Sequence, residues 1–183
     1  MANIFMSESD AILSDAILME LANRPCGDLA SVARRVLTGE RKANVPGVAC
    51  PVRFRMFRRK NKKMGGFFIP GLVSVFLNRR GPLATLIHEM RHAQQLAALG
   101  SRRFYDTLDA HPDPLLDPLE IDAFAAEIAC GTQKPGKSMG KVGSWECVKG
   151  MPRKQVAAVR RVAKMIEEVY ARQARAIGKG RGC

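Results

Sequence analysis

The sequence predicts an α+β fold: a small twisted sheet in the first half of the chain, with helices before and after it. Two observations carry this. Residues 48–58 alternate, Val52, Phe54 and Met56 on one side and Arg53 and Arg55 on the other, which is the period-two signature of a half-buried strand. The flanking regions repeat apolar residues every three or four positions, the period of a helix with one buried face.

Taken in order, residues 8–23 read as a helix capped by Ser9-Asp10, with Ile12, Ala16, Leu18 and Met19 as its apolar positions. A second helix spans 28–38, capped by Asp28 and ended by Gly39. The strand at 48–58 leads through a turn at Asn61–Gly66 into further strand at Phe67–Asn78. Pro70-Gly71 breaks that stretch, and Val73, Val75 and Leu77 share a face. Gly81-Pro82 starts the next helix, because proline lacks only an amide hydrogen that the first turn would leave unbonded, and Gly100 stops it. Leu83, Ile87, Met90, Ala93 and Ala97 form its apolar back. Asp117 and Pro118 suit the N-cap and first position of another helix, with Ile121, Phe124, Ala125, Ile128 and Ala129 buried and Cys130-Gly131 as the close. Residues 132–150, rich in Gly, Lys and Ser, read as a loop. A last helix covers 152–176 with Val156, Val159, Ala163, Ile166 and Tyr170 on one stripe, and 178–183 fray.

Within the helix after Pro82 stands His88-Glu89-Met90-Arg91-His92, an H-E-x-x-H motif that uses two of the three histidines in the chain. Positions i and i+4 share a helix face, so two imidazoles can meet one metal ion. Glu89 can then take a proton from water at that metal. A catalytic zinc site needs a third protein ligand. Glu120, in the first turn of the later helix, stands at the edge of the buried stripe and can point toward a neighbouring helix.

The segments His88–Gln95 (H-E-x-x-H-x-x-Q) and Pro118–Ala123 (P-x-E-x-D-A) resemble the gluzincin metallopeptidases, in particular small phage- and bacteria-encoded ones. The resemblance covers about fifty residues, from the strand before the motif helix to the end of the second helix. It implies a zincin-like fold in which a small sheet packs on the motif helix and a ligand-bearing helix; the flanks are not covered, and the expected division is a domain over residues 1–150 that includes the N-terminal helical segment, followed by a basic C-terminal helix and tail over 151–183. It implies Zn2+ held by His88, His92 and Glu120, Glu89 as general base, and a protein or peptide substrate. It also implies that the strand at Leu72–Asn78 forms the lip of the cleft and pairs with extended substrate. Gluzincins commonly carry Asp or Asn four residues after the ligand glutamate; here that residue is Phe124, and the nearby acid is Asp122.

His111, in the loop Asp109–Pro114, is a rival third ligand, by similarity to Spartan-type peptidases with an H-E-M-x-H-A motif. Asp122 and Glu127 are weaker rivals. A metzincin arrangement is excluded, since no Gly and His follow His92 at the required positions. Tyr105, Arg102 and Arg103 lie between the two motif segments as candidate donors to a developing oxyanion.

Composition bounds the partners. With 183 residues and 46% hydrophobic content, the chain can bury a core without staples. No run is apolar enough to span a bilayer and no signal pattern opens the chain, so the expectation is a cytoplasmic protein with no membrane partner. Five scattered cysteines without a C-x-x-C pair argue against a disulfide framework and a cysteine zinc site. The net charge of +13 is clustered at Arg53–Lys63 and along the last helix, a field that attracts nucleic-acid phosphates non-specifically. The second functional expectation is therefore a basic nucleic-acid-binding or virion-associated protein that keeps the scaffold without turnover. A third is a zinc hydrolase acting on a non-peptide amide. Oligomeric state is not legible.

Overall fold

The computed structural model describes residues 8–57, 66–78, 83–110, 117–132 and 153–178. Mixed helix and strand are present, as the α+β reading requires. Helix α1 (Glu8–Ala22) leads to α2 (Leu29–Leu37), then strands β1 (Lys42–Ala43), β2 (Val52–Phe57), β3 (Gly66–Ile69) and β4 (Ser74–Asn78), then helices α3 (Leu83–Ala110), α4 (Pro118–Ala129) and α5 (Arg153–Gly178). The Gly81-Pro82 start, His111, the loop at 133–150, the fraying tail at 179–183 and the cysteines at 147 and 183 lie outside the described residues. So does most of the turn at 61–66. No described helix is long and apolar enough to cross a membrane.

The sheet runs β1-β2-β4-β3, with β2 and β4 parallel and both outer pairs antiparallel. Val52, Phe54, Val75 and Leu77 face inward and are almost fully buried, while Arg53 and Arg55 are exposed, as alternation predicts. A 3-10 turn at Pro70–Leu72 folds β3 back along β4. This corrects the expected lip: the strand directly before the motif helix sits inside the sheet, and β3 is the edge beside it. Val73 belongs to the turn rather than the strand, in left-handed backbone with φ 43°.

Helix α1 starts at Glu8, one residue ahead of the expected Ser9-Asp10 cap, whose side chains lie outside the described residues. Its apolar residues are contiguous at 16–19, so periodicity alone leaves the phase open. The buried side takes Ile17, Leu18 and Leu21, and leaves Met19 70% exposed. Helix α2 follows the expected cap: the Asp28 carboxylate accepts from the Ser31 amide at 3.0 Å.

Helices α3 and α4 are buried well beyond one stripe. Leu86, Ile87 and Met90 are wholly buried, each contributing roughly 1.5–3 kcal/mol. Ala97, expected on the back face, is instead exposed. Gly100, the expected stop, adopts φ 75° and ψ 161°, open only to glycine, and the chain resumes helical turns beyond it to Ala110. Asp117 caps α4, accepting from the Leu119 amide at 2.8 Å, and Cys130 with Gly131 (φ 71°) closes it. Tyr170, Ala174 and Ile177 of α5 are buried, the last two in the same core as the sheet.

Arg91 and Asp122 lock these helices together. All five guanidinium hydrogens are used: Nε and one terminal nitrogen on Asp122 (2.7 and 3.2 Å), the rest on Gln94 and on the Leu21 and Arg24 carbonyls that end α1. Asp122 also accepts from Gln95 and from Gln173 of α5, each at 2.8 Å. Asp122→Ala removes the countercharge of a buried guanidinium, and the expected loss is about 3–5 kcal/mol, read from the midpoint of urea unfolding.

Candidate metal centre

Three side chains meet where α3 crosses α4. The Nε2 atoms of His88 and His92 each lie 3.2 Å from a different oxygen of Glu120. The three donor atoms fall within 4.8 Å of one another. Helical spacing brings the two imidazoles onto one face of α3, with ring centroids 4.8 Å apart. Asp117 and Pro118 fix the first turn of α4, and that turn carries Glu120 to them.

The far side of each ring is held as well. His92 Nδ1 lies 2.8 Å from Gln95 Oε1, and Gln95 Nε2 is committed to the Leu119 carbonyl and Asp122, both at 2.8 Å. Two acceptors fix the amide's NH2, so its oxygen must face His92, and His92 Nδ1 must be the donor. His88 Nδ1 faces Glu127 Oε1 at 2.8 Å, again a donor toward a carboxylate. The other oxygen of Glu127 is buried with no partner among the described residues. Phe124 packs edge-on against His88, with centroids 4.6 Å apart.

This geometry fits a metal ion. With both Nδ1 atoms protonated, a neutral ring turns its Nε2 lone pair toward a carboxylate oxygen, which is repulsive unless a proton or metal ion stands between them. Donor atoms at ordinary zinc distances in a tetrahedral site are about 3.3 Å apart; each Nε2 lies 3.2 Å from one Glu120 oxygen, and the three donor atoms together stay within 4.8 Å. Two imidazoles and a carboxylate form a donor set suited to zinc and other borderline ions.

Without such an ion, protons take its place. Burial alone would lower the imidazoles, but for His88 the hydrogen bonds to Glu120 and Glu127 outweigh it and push it up to about 10. His92 also rises, chiefly through Glu120 against the same burial. Burial acts to raise Glu120, yet the hydrogen bonds from both histidines hold it well below the usual carboxylate range. Glu89 is pushed up by burial, with the two imidazole charges pulling against it.

The triad opens onto a cleft of about 340 Å3 lined by Gly66, Phe67, Phe68 and Pro70 on one side, and by Phe104, Tyr105, Leu108 and Leu119 on the other. His88, Glu89, His92 and Glu120 form its floor. Glu89 accepts a backbone hydrogen bond from Phe68 of the edge strand. Gly66 allows that approach: a Cβ there would stand 3.3 Å from Glu89 Cγ and 3.0 Å from the Phe76 carbonyl.

The candidate residues His88, Glu89, His92 and Glu120 thus come together. Asp122 and Glu127 do not join the donor set: the first is fully buried on Arg91, and the second holds the opposite nitrogen of His88. Arg103 is engaged by Glu20 at 2.7 Å and Arg102 lies beside Asp106, whereas Tyr105 stands in the cleft wall. The holding roles of Gln95 and Glu127 were missed. Gln95 follows His92 by three positions, and Glu127 follows Glu120 by seven, two helical turns along one face.

Glu127→Ala frees the His88 ring, and for added Zn2+ as the probe ion the expected result is roughly 10–100-fold weaker binding with the fold retained, measured by chelator competition. A second expectation concerns pH. The raised histidines stabilise metal-free protein fully below their unfolded value of 6.5, and that contribution fades as pH climbs, for His88 through about 10. Lowered Glu120 contributes above its unfolded value of 4.5, and its contribution is lost as pH falls toward its depressed folded value. A metal ion entering this site must therefore displace protons, so its affinity rises as pH climbs toward about 10, where His88 gives up its proton. Calorimetry in buffers of different ionisation enthalpy reads the protons released. No protein-family model, curated protein or solved structure matches this chain.

Proposed function

We propose that the chain is a zinc-dependent peptidase. The observation that carries this reading is the convergence of His88, His92 and Glu120 beside Glu89 on the floor of one open cleft. Zinc, when bound, supplies a Lewis acid for the substrate carbonyl and lowers the pKa of water to about 7. Glu89 takes the proton of the attacking water and returns it to the leaving nitrogen. Its carboxyl is raised by burial, which brings its proton affinity nearer to that exchange, and the Phe68 amide keeps it oriented. Gln95 and Glu127 hold the imidazoles so that each Nε2 faces the centre.

The cleft wall suits a peptide. Phe104, Leu108 and Leu119 offer an apolar surface for a bulky side chain beside the scissile bond, and Tyr105, 43% exposed, offers a hydroxyl at the same wall. A donor there can stabilise a developing oxyanion.

Elemental analysis of purified protein is the first test: about one zinc per chain is expected, lost in His88→Ala. Glu89→Gln should retain the zinc while cleavage of a peptide library falls by about 100-fold or more. Folded protein that takes up no zinc defeats the reading, as does a Glu89→Gln variant of undiminished activity.

A further inference from the structure

The sheet has a second face, turned away from the metal centre, whose composition is unlike that of a merely solvated surface. Register places Lys42 of β1 opposite Arg53 of β2, and Arg55 of β2 in one row with Phe76 of β4 and Phe67 of β3. All three basic residues are exposed. Phe57, at the end of β2, is on the same face by alternation.

The aromatic residues form one cluster. Phe67 and Phe76 stack with centroids 5.0 Å apart and planes within 1°, and Phe57 lies 5.5 Å from Phe67. The Arg55 guanidinium stands 5.8 Å from the Phe76 centroid. All three rings are half-buried rather than covered, and the helices pack on the opposite, apolar face.

The cations on this face have no described acidic partner within salt-bridge distance, and Lys42 and Arg53 are like charges directly opposed across strands. Such a pair is destabilising and calls for an external anion. A polyanion satisfies the charges, but the aromatic cluster asks for more. Flat π surfaces interleaved with arginine match unpaired bases on a phosphate backbone, which a duplex hides in its stack. The net charge of +13 supplies the long-range attraction.

We propose that the outer face of the sheet binds single-stranded nucleic acid, with Lys42, Arg53 and Arg55 on phosphates and the Phe57–Phe67–Phe76 cluster against bases. This surface adjoins the metal-centre cleft at Phe67, which borders both, but does not depend on hydrolysis there.

The test uses the full chain and fluorescence anisotropy at about 50 mM salt, with labelled oligo(dT) and oligo(rU) of about 20 nucleotides and a duplex of equal length. Binding of either single strand is expected, the two arms distinguishing DNA from RNA, with the duplex at least about fivefold weaker. Arg53→Glu with Arg55→Glu should weaken single-strand binding by about tenfold or more. Phe76→Leu keeps the apolar volume but removes the π face, and should cost about fivefold or more; Phe57→Leu, at the strand end, repeats the test should Phe76→Leu disturb the circular dichroism spectrum. Reversal of Arg172 and Arg175, exposed on α5, is the control and should change binding by less than about twofold. No binding at low salt overturns the proposal. So does duplex binding equal to single-strand binding and unchanged in the phenylalanine variants, or a larger loss from the α5 reversal than from the sheet reversal.

Discussion

The Asp122 carboxylate is the fixed point of the structure. It accepts four hydrogen bonds, two from Arg91, one from Gln95 and one from Gln173, and thereby joins α3, α4 and α5; Arg91 in turn grips the carbonyls that end α1. A buried ion pair of this kind is weak evidence for stability by itself, because desolvation offsets most of the Coulomb attraction. Its value lies in geometry. Only one arrangement of α3 against α4 satisfies Arg91 and Asp122 together, and that arrangement sets Glu120 across from the two histidines. Gln95 extends the same network to His92, so helix packing and ring orientation share one set of hydrogen bonds.

The centre is also shaped by where charge is absent. Leu86, Ile87, Met90, Ala93 and Ala125 keep water away from α4 and from the part of α3 that carries the two histidines, except at the cleft. Low polarity around a cluster of titratable groups strengthens each interaction among them, which is why the two histidines and Glu120 depart so far from ordinary behaviour. The net positive charge of the chain shows instead on the outer sheet face and on α5, at Arg53, Arg55, Arg172 and Arg175.

Much of this was legible in the sequence, for reasons tied to particular residues. Alternation at Val52–Phe57 gave both faces of β2 correctly, because one face is buried and the other wet. Asp117-Pro118 marked the start of α4, since a cap and a first-turn proline act locally. The pairing of His88 with His92 followed from helical geometry alone. What stayed hidden is non-local. The position of β3 outside β4 depends on a tight turn that the break at Pro70-Gly71 announced without giving its direction. The burial phase of α1 depends on neighbours that periodicity does not name. Glu127 and Asp122 both read as acids on a helix, and only the partner across the interface separates the one that holds an imidazole from the one that neutralises a guanidinium.

Gly100 divides the long helix α3 into two pieces. The piece before it carries His88, Glu89 and His92; the piece after it carries Phe104, Tyr105 and Leu108 of the cleft wall. A single backbone joint therefore separates the segment that carries the candidate metal ligands from the segment that lines the cleft wall. Changes in the second piece can reshape the cleft wall while His88, Glu89 and His92 keep their places on the first, a freedom that one uninterrupted helix, rigid from end to end, would not offer.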